Sequence, residues 1–251
     1  MLLAAVVGLL LMGPIPQPAA YHGFADTRAW SGIRNFSNVA SNLPFTAAGV
    51  FGLWLILGPR GGEIFDRPIH RRPYVVLFLG VALVGAGSAY YHLAPDNARL
   101  VWDRLPITIA FMALTAAFIA DRIHQRAGIR WLLPILVAAG MASVLGWYRS
   151  ELLSRGDLRF YLLIQLFPPI VLPVICVLYR RARYTSGRHL AWLIAWYGAA
   201  KAFEHYDGEI YRLLGGAVSG HSLKHLAAAG AVVTVIRMLA ASGKSPPSAE
   251  Q

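Results

Sequence analysis

Between residues 35 and 241 the chain is divided into seven apolar segments, at about 35–57, 74–92, 100–120, 131–148, 160–179, 190–205 and 214–241. Each is close to the ~20 residues that a helix needs to cross a bilayer. Short polar connectors separate them, so consecutive segments should pack as antiparallel neighbours. The expected fold is all-α: a polytopic membrane helical bundle of seven core transmembrane helices plus a short N-terminal hydrophobic span. Charge content agrees, at 14% against roughly 25% for a soluble domain. Pro168, Pro169 and Pro173 fall inside the fifth segment and should kink it, because proline removes helix hydrogen bonds.

Residues 1–19 form the N-terminal hydrophobic segment. The first 25 residues carry no Asp, Glu, Lys or Arg, and Pro14, Pro16 and Pro18 close the apolar run. The basic start of a signal peptide is missing, which favours a retained span over a cleaved signal. Residues 20–241 make up the membrane domain, and 242–251 read as a solvated tail.

The net charge of +11 does not point to nucleic acid. The basic residues sit in short clusters between apolar runs: Arg60, Arg67, Arg71 and Arg72; Arg122, Arg126 and Arg130; Arg180, Arg181, Arg183 and Arg188. These are alternate loops, as the positive-inside rule expects for the cytoplasmic side. The other connectors should face outward, and the C-terminus inward. No protein partner is evident; the expected partners are the lipid bilayer and a lipid. Cys176 is the single cysteine, so any metal must rest on His, Asp or Glu.

This topology places a set of polar residues at one depth. His92 ends the second helix, Asp103 opens the third, and His221 and His225 sit in the first turns of the seventh. All belong to the outer end. Ionisable residues inside a membrane are expensive and mark function by default. His221 and His225 are four apart, on one helix face, and His92 can complete a three-histidine set. Three imidazoles with a vacant fourth position are the pattern of catalytic zinc.

Blander readings stand beside this one. Ser88, beside Gly85 and Gly87 in a Gly/Ala-rich helix, reads more readily on its own as a small packing residue. Asp103 reads as an interfacial ion pair with Arg104. Asn38 and Asn42 read as interhelical hydrogen-bonding groups, or as orienting a ligand carbonyl. Lys201, Glu204 and Asp207 read as snorkelling side chains, or as support for a zinc histidine. His22, His70, His124 and His189 lie in loops or helix ends, with no role assigned.

Three stretches together resemble the alkaline ceramidase family, part of a superfamily of seven-helix membrane hydrolases that includes the adiponectin-receptor-like proteins. They are Gly87-Ser88-Ala89-Tyr90-Tyr91-His92, Asp103-Arg104-Leu105-Pro106-Ile107 and Gly220-His221-Ser222-Leu223-Lys224-His225. Residues 35–42 resemble the family's first-helix signature. The resemblance implies His92, His221 and His225 as zinc ligands, with Ser88 and Asp103 flanking the attacking water. The implied reaction is hydrolysis of the N-acyl bond of a ceramide-like lipid. Some ceramidases also hold calcium through an acidic N-terminal segment. Here that region offers Asp26, Thr27, Arg28, Ala29 and Trp30, with Asn35 in place of an acid; the incomplete set argues against Ca²⁺. The extra N-terminal span departs from a plain seven-helix chain and points to a bacterial branch, in a cytoplasmic membrane with the site on the periplasmic side.

Chemically, Asp103 is the candidate to accept a proton from water and pass it to the leaving amine. The Ser88 hydroxyl is the candidate donor to the carbonyl oxygen. The same centre would serve an ester lipid, as a zinc lipase or acyltransferase. A third reading is a non-enzymatic, receptor-like protein with structural zinc, which would carry a fourth protein ligand.

Overall fold

The structure is a computed structural model describing residues 8 and 11–242. Most of the expected N-terminal run (1–7, 9 and 10) and the tail from 243 to 251 lie outside the described residues. Among the described residues there are seven long helices: α1 Phe36–Leu57, α2 Arg72–Leu93, α3 Asn97–Arg122, α4 Leu133–Leu152, α5 Arg159–Leu178, α6 Gly187–His205 and α7 Gly220–Ser242. No strand occurs among the described residues; the backbone forms one isolated bridge, Trp30 to Ile33.

Six of these helices are long and apolar enough to cross a membrane. The exception is α6, which carries Arg188, Lys201 and Glu204. It packs along α7 nonetheless, as α1 does along α2 and α2 along α3. α5 stays helical through Pro168, Pro169 and Pro173. Exposed Phe51, Trp54, Leu83, Trp102, Ile135, Ile170 and Trp192 stud the outer surface of the bundle, as a lipid-facing surface requires.

Local chemistry sets the helix ends that matter here. α3 starts where the Asp96 carboxylate accepts from the Arg99 N–H at 2.7 Å, a side-chain N-cap. α7 starts at Gly220, not at residue 214 as the apolar run implies. Gly215 and Gly216 adopt φ of 62° and 78°, a left-handed turn that suits glycine and separates a short helix, Asp207–Leu213, from α7. The Ser219 hydroxyl then accepts from the Ser222 N–H at 3.1 Å, and the Asp207 carboxylate accepts from the His221 N–H at 2.7 Å. A carboxylate there also meets the positive end of the helix dipole.

α2 and α3 cross with little between them. A Cβ on Gly87 would strike the carbonyl of Trp102, so glycine permits the approach that brings neighbouring Ser88 beside Asp103. Gly87→Ala should push the two helices apart and destabilise the fold by about 1–3 kcal/mol. It should also lower turnover; thermal melting and an activity assay read the two effects.

Candidate metal centre

His92 projects from the last turn of α2, and His221 and His225 from the first turns of α7. All three are buried, and their ring centroids lie 4.8, 5.0 and 4.8 Å apart. One nitrogen from each falls within 4.8 Å of the others. Two nitrogens sharing a tetrahedral zinc at ~2.0–2.1 Å stand about 3.3–3.4 Å apart. The Nε2 atoms of His221 and His92 are 3.3 Å apart. The three imidazoles could hold a metal ion and are compatible with zinc by donor type, with the His221–His92 pair already at the spacing a shared ion needs.

The support around them is specific. The Ser41 hydroxyl donates to the Asn38 carbonyl at 3.1 Å, so its oxygen is left to accept from Nδ1–H of His225 at 2.8 Å. That fixes the tautomer and leaves Nε2 of His225 as a free donor of electrons, the usual second layer of a histidine metal site. Asn35 donates to the His92 carbonyl at 2.8 Å. His92 Nδ1 is buried and has no protein partner.

A strap formed by residues 21–28 covers the cluster. The Phe24 ring packs on His92 at 4.7 Å and on His221 at 4.5 Å. His22 is held through Nδ1 by the Tyr91 hydroxyl at 2.9 Å and donates through Nε2 to Asn97 at 3.0 Å. The Ala25 N–H donates to Asp207 at 2.9 Å, so Asp207 grips the strap with one oxygen and the start of α7 with the other. Asn38 donates to the Asp26 carbonyl at 3.1 Å and accepts from the Ser222 hydroxyl at 3.1 Å. Asn42 donates to the Asn38 carbonyl at 2.7 Å. The two asparagines thus tie the strap and helices together.

The strap also bears on calcium. The Asp26 carboxylate, 1% exposed, is filled by the Arg28 guanidinium at 2.8 and 2.7 Å. Arg28 donates further to the Ala217 carbonyl at 2.9 Å. The Arg28 hydrogen bonds hold the Asp26 carboxyl below its ordinary value. This pairing therefore persists above about pH 4 and is lost as pH falls through that lowered value. A guanidinium in the carboxylate's embrace does not fit a calcium site.

Ser88 is buried and Asp103 half-buried. The Ser88 hydroxyl faces the Asp103 carboxyl, and both line a cavity of about 240 Å³ with His225. Arg104 does not pair with Asp103. It is 3% exposed, donates to Gln17 at 2.6 Å, and lies over the rings of Trp147 at 4.2 Å and Tyr161 at 4.4 Å. Such cation–π contacts are worth about 0.5–2 kcal/mol each, and they leave the Asp103 carboxylate unclaimed by arginine. Glu204 bridges Lys201 at 2.8 Å and Lys224 at 3.0 Å on the wall of the same cavity.

Sequence reasoning missed two supports of the centre, Phe24 and Ser41, and weighed Asp207 as a support without its double grip. Asp207 had a local cue, an acid just after α6 at the expected depth; Phe24 and Ser41 had none.

The family model described as Ceramidase matches residues 29–203, more than two thirds of the chain. The matched region includes Ser88, His92 and Asp103 and ends before His221 and His225. No curated protein and no solved structure matches the chain.

Proposed function

The chain belongs to the ceramidase family, hydrolases of the amide bond of ceramide, and from that premise we propose a zinc-dependent intramembrane amidase. It would release a fatty acid and a sphingoid base from a ceramide-like lipid. The observation that carries this reading is the convergence of His92, His221 and His225, the last of which lines an apolar cavity together with Ser88 and Asp103.

The three histidines would hold the metal as neutral imidazoles. A zinc ion held there would supply Lewis acidity and bring the pKa of a water down toward neutrality. Asp103 would accept the proton of the attacking water and deliver it to the departing nitrogen, so that the amine leaves neutral. Ser88 would donate its hydroxyl to the carbonyl oxygen as charge builds. Phe24 would exclude bulk water from one side of the centre, which strengthens electrostatic interactions inside it. Asp103 does not belong to the group of converging ligand atoms. A fourth position left free of protein favours catalysis over a structural metal.

We infer that this centre faces the outer side of the membrane, a reading the loop charges support, and we take that side to be the periplasmic face of a bacterial cytoplasmic membrane. A lipid amide sits at that depth, just beneath the headgroups. Purified protein should contain close to one zinc per chain. It should release fatty acid from ceramide faster than from diacyl phospholipid in the same vesicles. Preferred cleavage of the phospholipid ester would instead establish the lipase reading.

A further inference from the structure

The cavity beside the centre has a measurable depth. Its lining includes Ser88 on α2, Asp103 on α3 and His225 on α7 beside the centre, and the lining residues farthest from the centre along the same helices are Leu77, Leu114 and Val235. These pairs are eleven, eleven and ten residues apart. At ~1.5 Å of rise per residue, each helix independently gives about 15–17 Å. One helical turn further on lie Tyr74, Phe118 and Leu239, 2%, 0% and 0% exposed. They belong to the packed core and not to the cavity lining. Along these three helices the lining therefore stops at the level of Leu77, Leu114 and Val235.

We propose that this cavity is a ruler for the fatty-acyl chain, selecting N-acyl groups of about 12–14 carbons over longer ones. An extended chain built from ~1.5 Å bonds advances about 1.25 Å per carbon, and the depth above divides accordingly. The inference rests on the amidase reading for the identity of the ligand. The acyl chain suits the channel better than the sphingoid chain does. It starts at the carbon under attack and carries no hydroxyl, and the floor offers only hydrocarbon at Leu77, Leu114 and Val235.

The test uses the full chain in lipid nanodiscs and ceramides sharing one sphingoid base, with acyl chains from about 8 to about 24 carbons. The specificity constant should peak at about 12–14 carbons and fall by about tenfold or more by about 20, a discrimination within reach of an apolar pocket. Phe118→Ala, which opens one ~5.4 Å turn of floor, should move the peak about four carbons longer. Val235→Phe should move it shorter and needs no new cavity in the core, so it serves if the first variant does not fold. A flat profile, or a peak that neither variant moves, overturns the ruler. Thermal stabilisation by free fatty acids of the same lengths reads the channel without hydrolysis. The same peak in binding with no ceramide turned over would keep the ruler and remove the amidase reading. Hydrolysis with no length dependence would do the reverse.

Discussion

Alanine at His221 or His225 is expected to empty the centre of metal and to reduce ceramide hydrolysis by at least about 10³-fold. The size follows from what would be lost: metal activation of a nucleophile is worth several kcal/mol, and each 1.36 kcal/mol is tenfold in rate. The two changes should leave the fold standing. The cap on α7 runs from Asp207 to the backbone N–H of residue 221, and from Ser219 to that of residue 222, so neither cap needs an imidazole. Elemental analysis should give less than a tenth of the wild-type metal, with circular dichroism unchanged. The two variants should also differ. His225→Ala frees the Ser41 hydroxyl, whereas His221→Ala removes a ring that Phe24 packs against and should leave the strap more open to protease. Turnover that persists in metal-free protein would end the metal reading.

Asp103→Asn should cut turnover by about 10²–10⁴-fold, the range for a lost general base, while the metal stays. Asparagine keeps the shape and cannot take a proton. Metal content separates the possible roles: if Asp103 were a ligand, the variant would lose both metal and activity, and the receptor-like reading with structural zinc would gain. Ser88→Ala should cost less, about 10²-fold, the lower end for removing one donor to a developing oxyanion. Because Ser88 faces Asp103, the double variant should lose less than the product of the two single effects, as expected for groups in contact. A Ser88→Ala enzyme less active than Asp103→Asn would reverse the assigned roles.

The helical bundle was legible because lipid leaves so little freedom: apolar segments of the right length become helices. The depth argument was legible for the same reason, since His92, Asp103, His221 and His225 stand out in an oily chain. Boundaries were harder. The apolar run at 214 continues smoothly into α7, and only the left-handed glycines at 215 and 216 and the Ser219 cap set the true start. Arg104 misled because adjacency in sequence suggested a pair with Asp103. On a helix, consecutive residues point about 100° apart, and Arg104 turns instead to rings from Trp147 and Tyr161, over forty positions away. The strap was the least legible part. Residues 21–28 look like a connector, and nothing local reveals that Phe24 packs on two histidines.

The shared grip of Asp207 has a thermodynamic corollary. One carboxylate joins a peripheral segment to the peptide N–H of an inner histidine, so peeling the first away weakens the anchorage of the second. Such linkage is reciprocal: an ion that steadies residue 221 must, to the same degree, clamp the covering segment down.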